Sequence, residues 1–124
     1  MNEDNKEKIV LRLLDIAFFE NYPNKQEYKK TSDEIEERNI AFDIIEMLDI
    51  RKKPVIDIAM KFAYRCLSDP RYCNEGPDIS KVGKWLARDA KLRASLIERA
   101  EKFLRDPPEF EFASFYKKFL SDII

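Results

Sequence analysis

Apolar residues recur along the chain with helical rather than strand spacing, and they divide it into five amphipathic segments. The first runs from about Asn5 to Glu20. Wound at 100° per residue, its apolar surface is interrupted only by Arg12, Asp15 and Glu20, so burial on most sides is expected. Asp4 and Glu7 stand in front of it at capping-box spacing, and Tyr22-Pro23 ends it. The stretch NKQEYKK that follows reads as a loop or a short extra turn. Thr31 and Glu34 repeat the capping-box spacing and open a second helix to about Arg51. Ile40, Ala41, Ile44, Ile45, Met47 and Leu48 form its expected core stripe.

Pro54 suits the first turn of a third helix, over about 54–69, where its missing N–H removes no bond. This helix is apolar except for a narrow strip of Asp57, Lys61, Arg65 and Ser68, which predicts the central, most enclosed element. Asp69-Pro70 closes it, and PRYCNEGPD is the segment richest in turn formers. A fourth helix, capped by Asp78 or Ser80, is expected over 79–105 and stops before Asp106-Pro107-Pro108. In the last segment Phe112, Phe115, Tyr116, Phe119, Leu120 and Ile123 keep helical spacing without an error. No segment reads as a strand. The expected fold is all-α: one compact bundle of about five helices, forming a single domain over 1–124, with 54–69 at its centre.

Composition narrows the chemistry. A chain of 124 residues can bury roughly two-thirds of its unfolded surface, enough for a core without a metal or disulfide staple. Gly at 2 disfavours Gly-rich phosphate loops, and His at 0 removes the commonest neutral-pH acid/base and metal ligand. A zinc site on Cys66 and Cys73 would need carboxylates to complete it, so no metal and no cofactor is expected. No secretory or membrane-spanning segment reads out, which points away from membranes and toward a cytoplasmic protein with both cysteines reduced. Arg71 could activate Cys73, but no base accompanies it, and no nucleotide-loop or zinc-protease motif is present. An enzyme is therefore not expected. A helix-turn-helix reader fails too, because the helix after the RKKP turn is apolar almost all round.

Charge is unevenly distributed although the net value is −1. Residues 1–50 hold 7 Lys/Arg and 13 Asp/Glu, whereas residues 51–106 hold 14 and 8. The second helix collects an acidic face of Glu36, Asp43, Glu46 and Asp49. On a continuous helix over 79–105, Lys81, Lys84, Arg88, Lys91, Arg99 and Lys102 share one arc with Ser95 filling the gap. Asp89 and Arg93 then fall in the core sector, where they would pair at i, i+4; the alternative is a break with Asp89 capping a second piece. The lack of Pro or Gly at 87–93 favours the continuous helix. Trp85 falls on the apolar side, and Gly83 implies the close approach of a neighbouring helix.

These features lead to two functional expectations. The first is a non-catalytic protein acting through protein–protein contacts, including self-association in which the acidic face of one copy meets the basic face of another. The second is an accessory subunit of a nucleoprotein assembly, binding nucleic-acid backbone along the basic row. Arg71, Tyr72 and Asn74 in the turn-rich loop are candidate recognition residues in either case.

Overall fold

The computed structural model describes residues 2–18, 32–75 and 77–124. Among them are six α-helices, two 3-10 turns and no strand. The helices are α1 (Glu3–Phe18), α2 (Ser32–Leu48), α3 (Lys53–Ser68), α4 (Ile79–Leu86), α5 (Ala90–Arg105) and α6 (Ala113–Ile123). The 3-10 turns cover Pro70–Glu75 and Phe110–Phe112. The fold is the expected all-α bundle.

Local chemistry explains most helix ends. α1 starts two residues early, because Asn2 rather than the Asp4/Glu7 pair caps it: Asn2 Oδ1 accepts from the Asn5 N–H at 2.9 Å. The capping box proposed at Thr31 and Glu34, and the loop with Tyr22-Pro23, lie outside the described residues. α2 stops short of Arg51 because Asp49 turns left-handed, with φ at 47°. Pro54 sits in the first turn of α3, and Asp78 caps α4 by accepting from the Ser80 N–H at 2.9 Å.

α3 is the centre of the bundle. It packs against α1, α4, α5 and the Pro70–Glu75 turn, and it buries Val55, Ala59, Phe62, Ala63, Cys66 and Leu67. α1 and α2 form an antiparallel hairpin: Lys52, just past α2, reaches Glu7 near the start of α1 at 3.0 Å, while the Phe18 and Phe42 rings meet at 6.0 Å at the other end. The aromatic core continues from Phe18 to Phe62 at 4.7 Å and from Phe42 to Trp85 at 5.8 Å. α6 closes the far side against α4 and α5, and Ser80 donates to Asp122 across the α4–α6 joint. Cys66 and Cys73 are free thiols.

Two stripes depart from expectation. α1 is not buried on most sides, since Ile9 and Ile16 are exposed, and Ile40 and Met47 of α2 leave the core as well. Phe42, not expected in the stripe, is fully buried instead. In a hairpin each helix rests on its partner and on the bundle, which uses about half of its circumference and leaves the outer flank to solvent.

Helix 79–105 is not continuous. It breaks at 87–89, and Asp89 Oδ1 accepts from the N–H groups of Lys91 at 2.8 Å and Leu92 at 3.2 Å to start α5. The end of α4 closes its own carbonyls, with Ala87 N–H on Gly83 O at 2.8 Å and Asp89 N–H on Leu86 O at 3.2 Å. A straight helix would have pressed Asp89 and Arg93 into the core, whereas the break leaves both exposed and hydrated.

Gly83 marks the crossing of α4 and α6. A Cβ there would stand 2.9 Å from Phe119 Cε2 and 3.1 Å from Ile123 Cγ2, both in buried side chains. Gly83→Ala should therefore destabilise the protein by about 1–2 kcal/mol, overpacking outweighing the gain in helix propensity. Urea denaturation checks this; an alanine variant as stable as wild type would mean that α6 is not held against α4.

Candidate functional site

The acidic face of α2 and the basic residues of α4 meet inside one chain. Asn39 Oδ1 accepts from the Asp78 N–H at 2.9 Å, Lys81 Nζ reaches Asp43 at 2.9 Å, and Arg88 reaches Glu46 at 3.2 Å and Asp49 at 3.8 Å. The order of these contacts makes α2 and α4 parallel neighbours. The Asp43 hydrogen bond raises the Lys81 ammonium above its ordinary pKa. Exposed pairs of this kind contribute about 0–1 kcal/mol each, so their main effect is to set the register of the two helices. Glu36 and Lys84 remain exposed beyond this ladder.

On its other flank, α2 turns toward α1. Ile40, Ile44 and Met47 on α2, and Ile9, Leu13 and Ile16 on α1, each keep i, i+4, i+7 spacing off the core face. Because α4 holds the Asn39/Asp43/Glu46 side, the α2 stripe borders the α1 seam. The antiparallel register then brings Ile16 level with Ile44, and Met47 level with the turn around Leu13. Leu13 and Ile44 are half-buried at the seam, whereas Met47 is 76%, Ile16 52% and Ile40 50% exposed. The rims differ in sign: Lys8 and Arg12 flank the stripe on α1 and Glu36 flanks it on α2, all three exposed, while Asp43 beside Glu36 is taken up by Lys81.

The break at Asp89 also splits the basic row. Lys81 and Arg88 go to α2, while Lys91, Ser95, Arg99 and Lys102 stay together on α5, which lies parallel to α3. A cleft runs between the two helices. At one end, Arg51, Lys53, Ile56, Asp57, Lys91 and Leu92 help to line a cavity of about 320 Å³. Further along, Tyr64, Ser95, Glu98, Arg99, Lys102 and Phe103 line one of about 270 Å³. Beyond Tyr64 a third depression, of about 310 Å³, lies between α3 and the Pro70–Glu75 turn rather than against α5, lined by Tyr64, Arg65, Ser68, Asp69 and Tyr72. The Arg99 guanidinium stacks over the Tyr64 ring at 4.0 Å, and that of Arg65 over the Tyr72 ring at 4.5 Å.

Of the turn-loop candidates, Tyr72 lines the third depression, beside Arg65. Arg71 is held elsewhere, by Asp69 at 2.9 Å and Glu109 at 3.7 Å, and the Asn74 side chain lies outside the described residues. The Arg71 hydrogen bond keeps the Asp69 carboxyl below its usual range. Sequence reasoning missed Tyr64 and Arg65 as site residues. Their signal was the polar strip of the 54–69 helix, which the α5 row lies beside.

Among the described residues no group of three or more His, Cys, Asp or Glu is placed to hold a metal ion, and no helix is long and apolar enough to cross a membrane. Comparison with protein-family models, with curated proteins and with solved structures finds no match for this chain.

Proposed function

We propose that this protein is a non-catalytic helical binding protein that works through protein–protein contact, with the outer face of the α1/α2 hairpin as its contact surface and a second copy as its partner. The observation that carries this reading is the exposed stripe of Ile9, Ile16, Ile40 and Met47 on adjoining flanks of one hairpin. The opposite signs of the two rims select the partner. A two-fold pairing that lays α1 of one protomer over α2 of the other joins apolar stripe to apolar stripe and brings Lys8 and Arg12 toward the acidic rim. Pairing through the α2 and α4 charges, the route expected from sequence, has less support because those charges already meet within the chain. A cytoplasmic setting suits the two free thiols.

Light scattering tests the proposal. At micromolar concentration the wild type should show twice the protomer mass of 14.8 kDa, and the double variant Ile16→Glu/Met47→Glu should return to the protomer mass with an unchanged helical spectrum. A wild type that stays at 14.8 kDa overturns self-association through this face.

A further inference from the structure

We propose that the α3/α5 cleft, continued past Tyr64 by the depression between α3 and the Pro70–Glu75 turn, is a binding groove for single-stranded nucleic acid, in which Arg65 and Arg99 hold successive phosphates on either side of Tyr64. The inference is independent of self-association, because it uses helices on which the hairpin stripe does not lie.

The cations are held ready. Arg99 and Arg65 are exposed, each is laid flat on a tyrosine ring, and neither has a carboxylate ion pair among the described residues. Stacking fixes the guanidinium plane while leaving its N–H edge free, the arrangement that suits bidentate contact with phosphate. Lys102 and Ser95 add donors on the α5 side, whereas the Ser68 hydroxyl donates to the Tyr64 carbonyl at 2.9 Å and has only lone pairs to offer. Of the carboxylates around Tyr64, Asp69 is neutralised by Arg71, which leaves Glu98 against Arg65, Arg99 and Lys102. At the far end Asp57 is paired to Lys53 at 2.9 Å and Asp89 caps α5, while Lys91 is exposed. From Lys53 to Ser68 the cleft is about 20 Å long.

Its shape selects a single strand. Tyr64 borders two depressions of about 270 and 310 Å³, each with a stacked arginine and a hydroxyl. Depressions of that size, each beside a guanidinium laid on an aromatic ring, suit individual bases splayed from a backbone and stacked on the guanidinium's outer face. A duplex keeps its bases stacked inward and would leave both empty. An acidic peptide of Asp and Glu could satisfy the guanidinium edges but has no planar ring to stack on their outer faces.

Fluorescence anisotropy of a labelled oligouridylate, titrated with the full chain over a range of KCl, tests the proposal. Saturable binding is expected, with log affinity falling linearly against log salt. Arg65→Glu/Arg99→Glu should weaken binding by at least about ten-fold, and the milder Arg65→Gln/Arg99→Gln should make the salt slope shallower by about 1.4, the value for two lost single-strand phosphate contacts. Lys84→Glu, an exposed charge reversal on α4 outside the cleft, should change affinity by less than about two-fold. Both arginines are exposed, so an unchanged circular dichroism spectrum is expected for each variant. Absence of binding, equal loss in Lys84→Glu, tighter binding to a duplex of equal length, or full competition by a polyglutamate peptide would each overturn the groove. Monomeric protein that still binds the oligonucleotide supports it and sinks only the dimer.

Discussion

Trp85→Ala should lower folding stability by about 3–5 kcal/mol, among the largest losses a single core truncation causes. Trp85 is 1% exposed and meets the Phe42 ring edge-on at 5.8 Å. It also ties α4 to the end of α2 and to the connection that leads into α3. Its indole N–H donates to Asp49 Oδ1 at 3.0 Å, anchoring the left-handed residue that ends α2. The Arg51 guanidinium lies 4.7 Å from its ring centroid and donates through Nη1 to the Trp85 carbonyl at 3.0 Å. Among the described residues Arg51 Nη2 is buried without a hydrogen-bond partner, so the ring face adds to what Nη1 gains from the Trp85 carbonyl and from Asp49 at 3.5 Å. Alanine removes the ring, the indole donor and the stacking surface together. Trp85→Phe keeps most of the apolar contact and loses the indole donor, for an expected cost of about 1–2 kcal/mol. Urea titration followed by far-UV circular dichroism is the measurement, since Trp85 is the only tryptophan and its fluorescence disappears with it. A loss below about 1 kcal/mol for the alanine variant, typical of a surface change, would show that the α2–α4 joint is not seated on this ring.

What could be read in the sequence is what local rules decide. The Pro54 start, the Asp78 cap, the enclosure of α3 and the close approach at Gly83 all depend on spacing or on a single residue's geometry, and all appear in the fold. At Asp89 the lack of Pro or Gly favours a continuous helix, and the fold breaks there instead. The Asp89 cap and the continuous helix differ locally by little, and the hydration of Asp89 and Arg93 tips the balance only once α5 has packed on α3 and α6. An apolar stripe looks alike whether its own chain or another covers it, so Ile40 and Met47 were assigned to the core. Opposite charges on two helices likewise do not reveal whether they meet within a chain or between chains; the Lys81–Asp43 bond answers that. The cleft was least legible. Arg65 and Arg99 belong to different helices 34 positions apart, and only the parallel placement of α3 and α5 makes one surface of them.

The second large effect is expected at Tyr116, where two variants and a pH series separate ring from hydroxyl. Tyr116 is fully buried, stacks on Phe103 at 5.7 Å, and donates its hydroxyl to the Leu67 carbonyl at 2.6 Å. That carbonyl belongs to the last turn of α3, where no intrahelical N–H reaches it. Tyr116→Ala empties the site and should cost about 3–5 kcal/mol. Tyr116→Phe keeps the ring and orphans a buried acceptor, for about 1–3 kcal/mol near neutral pH. Burial, reinforced by the charges of Asp69 and Cys73, holds the hydroxyl above its ordinary pKa of 10.0. The folded chain therefore keeps the phenol proton where the unfolded chain releases it. The hydroxyl's contribution is complete below pH 10.0 and falls as pH rises through the folded pKa, because the unfolded state then binds fewer protons. Lysines titrate in the same range, so the informative quantity is the difference in urea midpoint between wild type and Tyr116→Phe. That difference should be constant up to about pH 9 and shrink above about pH 10. A gap that stays constant through the alkaline range would mean that the hydroxyl is hydrated, and that α6 does not seal the end of α3.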